Sequence, residues 1–163
     1  NRNINKFTAQ FDALRPTQAT ASQVDINTRE ILSSTTTVPT QDTQGDIGAH
    51  EATEAGTTLL SRIRETTEDL DGATAATANH SSWAYSANAE VCADNYAAVL
   101  SPCQMVTVAG AGQHLSGQWL ISRVTHVIND EGYKQQMTLR RNARSDDTTS
   151  LATNLANSVG GIV

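Results

Sequence analysis

Aromatic side chains make up only 4% of this 163-residue chain, and apolar residues as a whole reach 38%. Soluble domains ordinarily carry about 45–50% apolar residues. Thr, Ser, Ala, Asn and Gln fill the difference. Such polarity favours long exposed segments, or a protein that completes its burial against partners. No run of 18 apolar residues occurs, so no membrane-spanning helix and no membrane insertion are expected. No signal peptide is visible, and a chain that starts at Asn1 rather than Met reads as a fragment or a processed piece. Cys92 and Cys103 are too few and too isolated for a disulfide framework. Basic residues are outnumbered 11 to 17 by acidic ones, giving a net charge of −6. Nucleic-acid binding is not expected, because phosphate contacts need clustered Lys and Arg. Arg140, Arg141 and Arg144 form the one local basic group, and they read as solvated charges at a strand end.

What is present is organised mainly as strands. In residues 6–15, Phe7, Ala9, Phe11 and Ala13 alternate with polar residues, the period of a half-buried strand. A second strand is expected over 21–32, where Val24 and Ile26 alternate with Gln23, Asp25 and Asn27. Residues 33–57 are rich in Thr, Ser, Gly and Asp and read as a loop or flexible insertion. A short helix is expected over 58–70 from Leu59, Leu60, Ile63 and Leu70, with Asp71-Gly72 as its stop. A longer helix is expected over 81–100. Tyr85, Ala89, Cys92, Tyr96 and Val99 fall at helical spacing, with Ser81 or Ser82 as N-cap and Pro102 as terminator. On that stripe Cys92 is a small core residue.

Three strands follow, over about 104–109, 119–128 and 133–141, joined by turns at Gly110-Ala111-Gly112 and at 129–132. The middle strand is apolar on both faces, with Trp119, Ile121 and Val127 on one and Leu120, Val124 and Ile128 on the other. A strand buried on two sides fits a small closed barrel. In the third, Tyr133, Gln135, Met137 and Leu139 share one face, and Lys134, Gln136, Thr138 and Arg140 the other. The fold class expected is mainly β, a small β-barrel with one packed helix. Residues 1–143 form the domain, and 144–163 read as a linker or frayed end.

The region 82–143 carries a recognisable pattern. It runs through Asn95-Tyr96, then Leu100-x-Pro102, then a Val-x-Val strand closing on Gly110. Ser116-Gly117-x-Trp119, Val124-Thr125-His126, Tyr133 and Arg141-Asn142-Ala143 complete it. This pattern resembles the phage late control D family. That family includes baseplate hub proteins of contractile phage tails, and hub domains of the spike proteins of type VI secretion and extracellular contractile injection systems. The family usually has Gly after the proline, where this chain has Cys103. The resemblance implies a tube-type barrel that trimerises, with Pro102, Gly110, Gly117, Trp119, His126 and Tyr133 as structural motif residues. It implies a baseplate hub that links the hexameric tail tube to the trimeric spike. The partners implied are the tube, spike and baseplate proteins, in a virion or injection particle assembled in the bacterial cytoplasm.

No chemistry-bearing constellation competes with this reading. His50, His80, His114 and His126 show no HxxxH or CxxC spacing, so no metal is expected. His126 reads as a satisfied structural histidine, and His114 as a solvated one in a turn. Glu65, Glu68, Asp69 and Asp71 crowd a polar stretch and read as an exposed acidic helix end rather than a hydrolytic pair. There is no GxSxG elbow, P-loop or GxGxxG. No enzyme activity and no cofactor are expected. The alternative is a phage-tail glycan-binding or peptidoglycan-hydrolysing β-domain. A further one, suggested by the Thr and Ser content, is a surface-adhesion module.

Overall fold

The computed structural model describes residues 3–25, 27–60, 67–92, 94–130 and 132–146. The chain order is β1 (Ile4–Phe11), β2 (Thr17–Val24), β3 (Ile31–Thr36), β4 (Ile47–Gly48) and β5 (Gly56–Leu60). Then come α1 (Thr67–Ser81), β6 (Tyr85–Cys92), β7 (Met105–Val108), β8 (Gly117–Asn129), β9 (Gly132–Arg141) and β10 (Ala143–Arg144). The fold is mainly β with a single helix, as the sequence pattern indicates.

The main sheet has five strands in the order β1-β6-β9-β8-β7, antiparallel throughout. It curls into a half-barrel. Among the described residues it does not close, which corrects the closed barrel: β1 and β7 are its two outer strands. Its concave side holds the core of Tyr85, Ala87, Ala89, Val91, Trp119, Ile121, Met137 and Leu139. A second sheet, β3-β2-β5, pairs β2 antiparallel with β3 and parallel with β5. Helix α1 packs on β2 and β3. That seam is built of small residues. Ala19, Ala21, Leu70, Thr74 and Ala78 are fully buried, and the Ser34 hydroxyl donates to Asp71 (2.5 Å) and lies 3.0 Å from Thr74 Oγ1.

The three consecutive strands of the last third form as expected, with β8 paired to both β7 and β9. The apparent two-faced character of β8 has a physical origin that the pattern hides. A β-bulge between Ile121 and Arg123 inserts Ser122 as an extra residue and reverses the alternation. Beyond it, Val124, His126 and Ile128 lie opposite Met137, Gln135 and Tyr133. Directly opposed residues share a face. Val124 therefore joins Trp119 and Ile121 on the concave side, while Leu120 and Val127 face outward. This corrects the expected grouping of Val127 with Trp119.

Four segments depart from expectation. The strand expected over 21–32 is a hairpin. β2 ends at Val24 and β3 begins at Ile31, around a turn in which Asp25 Oδ1 accepts the Asn27 amide (2.8 Å). The helix expected over 81–100 is strand β6, and the helix lies earlier, at 67–81. Tyr85, Ala87, Ala89 and Val91 are buried on alternate positions. Pairing on both sides, to β1 and β9, outweighs the alanine-rich helical spacing. Ser81 and Ser82 close a helix rather than start one: the Ser82 amide donates to Ala78 O. For the helix expected over 58–70, residues up to Leu60 belong to β5, residues 61–66 lie outside the described residues, and α1 runs through Asp71-Gly72 without stopping. Arg144–Asp146, expected to begin a linker, belong to the fold through β10, while 147–163 lie outside the described residues.

Cys103 stands in the left-handed region, at φ 63°, and is exposed. A side chain there costs about 1–2 kcal/mol, which glycine avoids. Glycine gives back part of that gain through unfolded-chain entropy. Cys103→Gly is therefore expected to raise stability by about 0.5–1 kcal/mol, read as a higher denaturation midpoint. A lower midpoint would refute the strain.

Candidate assembly interface

A densely hydrogen-bonded polar site is built around Arg141. Residues Tyr133, Gln135, Met137 and Leu139 set an alternating inward series on β9, and Arg141 is its next member. The strand thus carries a guanidinium to the buried side, where Arg141 is 1% exposed. Its solvated strand-end reading is corrected. A buried charge needs full hydrogen bonding. Arg141 Nε and Nη2 donate to Gln44 O (3.3 and 3.0 Å), Nη1 to Ser116 O (3.1 Å), and Nη2 to Ser145 Oγ (2.7 Å). Ser145 Oγ in turn donates to Ser116 O (2.8 Å). The guanidinium also lies 5.8 Å from the Trp119 ring centre. Burial lowers the Arg141 pKa, and Asp46 and Tyr85 oppose that shift. The guanidinium remains charged. Burial likewise raises the Tyr85 phenol, with Arg144 and Arg141 opposing.

Asn142 completes the junction. Its Nδ2 donates to Asp42 O (2.8 Å), its Oδ1 accepts the Gln44 amide (2.9 Å), and its carbonyl accepts the Ala49 amide (2.8 Å). The Asp46 amide donates to Arg144 O (2.9 Å) beside the two-residue ladder of β4 with β10. Two glycines leave room for the guanidinium. A Cβ on Gly45 would stand 2.6 Å from Arg141 Nη2, and one on Gly117, at φ 123°, would stand 3.0 Å from it. Residues 33–57 are therefore not a structureless loop: they hold part of β3, all of β4, the start of β5 and these contacts. Slow amide exchange is expected at Gln44, Asp46 and Ala49 in the isolated chain. Exchange at the rate of an open coil would restore the flexible-insertion reading.

The six motif residues fall in three places. Gly117 and Trp119 meet at Arg141. Trp119 is fully buried, donates Nε1 to Leu115 O (2.9 Å), and meets Phe7 edge to face at 5.9 Å. Pro102 and Gly110 lie in turns on either side of β7, Gly110 at φ 78°. His126 Nδ1 is 2.7 Å from the Tyr133 hydroxyl, with the rings stacked, at the exposed end of the β8-β9 hairpin. Gly132 supplies φ 115° in that hairpin.

Other candidates resolve into structural roles. His114 is not simply solvated, since its Nδ1 is 3.1 Å from Ser145 O. Asp71 belongs to the helix seam, while Glu65 and the Glu68 side chain lie outside the described residues. Among the described residues no three His, Cys, Asp or Glu side chains cluster to hold a metal. Sequence reasoning missed Gln44 and Ser145, and met Ser116 only as part of the Ser116-Gly117-x-Trp119 pattern. The one signal available was the β9 alternation, which extends to Arg141.

Between β1 and β7 the concave face opens as a cleft of about 700 Å³, lined by apolar residues such as Ile4, Phe7 and Val106 together with the polar Asn3, Asn5 and Thr107. Apolar side chains are also exposed at hairpin tips: Val24 and Ile31, opposite each other, are 59% and 75% exposed, and Ile128 is 81% exposed. The outer strands β1 and β7 present edges to which another chain could pair.

A family model described as the Alg8 N-terminal domain matches residues 1–130. No curated protein matches the chain in sequence. Among solved structures, the chain resembles the 43 kDa tail protein of prophage MuSo2 from Shewanella oneidensis. The TM-score is 0.64 at 13% identity, over 85% of this chain and 41% of that one. The tail protein from Neisseria meningitidis MC58 gives a TM-score of 0.46 at 13% identity, over 85% of this chain and 40% of that one. The chain thus spans well under half the length of either tail protein.

Proposed function

We propose that this chain, which belongs to the Alg8 N-terminal domain family and shares its fold with a phage tail protein, is a structural subunit of a phage tail or a phage-tail-like injection system, a reading that rests on the shared fold. The observation that carries this is the shared fold over 85% of the chain. The finer reading is that of a baseplate hub, trimeric, joining tail tube to spike, within a virion or injection particle assembled in the cytoplasm. It is supported by the late control D-like pattern from Asn95 to Ala143, and by a half-barrel with two outer strands available for pairing. Strand edges can form heterologous contacts, which close into rings when the rotation closes.

The subunit works by geometry, not catalysis, in this reading. The hydrogen-bonded junction at Arg141 would hold the half-barrel rigid while loops and edges meet neighbours.

The test is co-expression with the tail tube and spike proteins of the same tail or injection particle, followed by light scattering and electron microscopy. The expected result is a complex with three copies of this chain at the tube end. A persistent monomer that captures neither protein would overturn the hub reading. Release of sugar or peptide from peptidoglycan by the purified protein would favour the hydrolytic alternative.

A further inference from the structure

We propose that the convex face of the main sheet binds an acidic segment of a partner polypeptide, laid across the strands between Lys6 and Arg123. This inference stands apart from the tail-subunit reading. Its starting point is the distribution of charge. Of the chain's 17 acidic residues, Glu90 is the one that lies in the five strands of the main sheet. Lys6, Arg123, Lys134 and Arg140 alternate with the inward-facing residues of their strands, so they stand on the convex side. Four cations against one carboxylate leave these strands at +3 on that side, within a chain of net charge −6. The Arg140 guanidinium lies over the Trp83 ring, 4.7 Å from its centre.

Strand register arranges these groups. Opposed residues share a face. One cross-strand row therefore reads Lys6, Glu90, Gln136 and Thr125, and the next reads Thr8, Asn88, Thr138 and Arg123. All of these but Thr8 line an open groove of about 520 Å³. The middle of each row is tied down. Gln136 Nε2 donates to Glu90 Oε2 (3.1 Å), and Thr138 Oγ1 donates to Asn88 Oδ1 (3.4 Å). The two ends are not. Lys6 and Arg123 are exposed, and among the described residues their side chains make no hydrogen bond or ion pair.

The groove thus offers a cation at each end and a carboxylate between them. Its complement is a carboxylate at each end with a hydrogen-bond donor between. Lys6 and Arg123 stand three strand spacings and one row apart, roughly 15 Å. In an extended polypeptide, residues four positions apart are about 13 Å apart and project to the same side. Two Asp or Glu side chains at that spacing reach both cations, and a backbone N–H or polar side chain between them meets Glu90. A nucleic-acid strand fits less well. Its phosphates form an unbroken row that would bring one against Glu90, where like charges repel. The groove also has no aromatic ring on which a base could stack.

The probe is a synthetic peptide with glutamate at every fourth position and serine and glycine between, added to the full chain. Nuclear magnetic resonance is expected to show amide shifts at Lys6, Glu90, Arg123 and Gln136, with binding that weakens as salt is raised. Two double variants with the same change of net charge separate the site from overall charge. Lys6→Glu with Arg123→Glu is expected to weaken peptide affinity by about tenfold. Arg15→Glu with Arg29→Glu alters exposed cations outside the main sheet, and should change affinity by less than about twofold. Should the first pair lower the denaturation midpoint, Lys6→Gln with Arg123→Gln repeats the comparison. Absent shifts, or shifts confined to other surfaces, overturn the proposal. So does an equal loss of affinity in the two double variants. A single-stranded oligonucleotide that moves the same amides at lower concentration than the peptide overturns the assignment to a polypeptide.

Discussion

Replacing Trp119 with alanine is expected to lower the unfolding free energy by about 3–5 kcal/mol, the usual cost of truncating a large buried aromatic. Trp119 is fully buried at the centre of the half-barrel core. The substitution empties space against Phe7, whose ring meets the indole edge to face at 5.9 Å. It also removes the Nε1 donor to Leu115 O, which holds the 112–116 turn to β8. The concave cleft lies beside this core, so the surroundings could relax inward and bring the cost toward the lower end of the range. Chemical denaturation followed by far-ultraviolet circular dichroism provides the measurement. A midpoint unchanged from the unmodified protein would mean that the indole does not carry the core.

Arg141→Met is expected to cost about 1–3 kcal/mol, because it removes the buried charge together with its hydrogen bonds and leaves neutral acceptors, not an unpaired charge, behind. Methionine approximates the length of the side chain but donates nothing. Gln44 O, Ser116 O and Ser145 Oγ would each lose a donor from the guanidinium. A buried acceptor left without a partner costs about 1–3 kcal/mol. Exchange at Gln44, Asp46 and Ala49 should accelerate more than exchange in β6, because these amides bond to Asn142 and Arg144, which directly follow Arg141. Trp119 and Arg141 are neighbours, so their costs should combine non-additively in the double variant. A stability loss below about 1 kcal/mol for Arg141→Met would show that its hydrogen bonds are replaced by water at little cost.

The amino-acid sequence alone determined the strands whose alternation is unbroken and whose turns carry glycine. Strand β9 and the hairpin at Gly132 are the clearest, because a period of two and a positive-φ turn are local properties. The mainly β character and the burial of Trp119 were legible for the same reason.

Tertiary structure decided the rest. Tyr85, Ala89 and Cys92 satisfy a helical stripe, while Tyr85, Ala87, Ala89 and Val91 satisfy a strand. Only the presence of β1 and β9 on either side chooses between them. The Ser122 bulge reverses the faces of β8 through its register with β9, a partner that local pattern does not reveal. The polar segment 42–49 is ordered by backbone bonds to Arg141, Asn142 and Arg144, almost a hundred positions away. Arg141 itself looks like a surface charge until the carbonyls of Gln44 and Ser116 surround it. Side-chain period is written in the chain one neighbour at a time, but which backbone meets which side chain across the fold is set only when distant segments pack together.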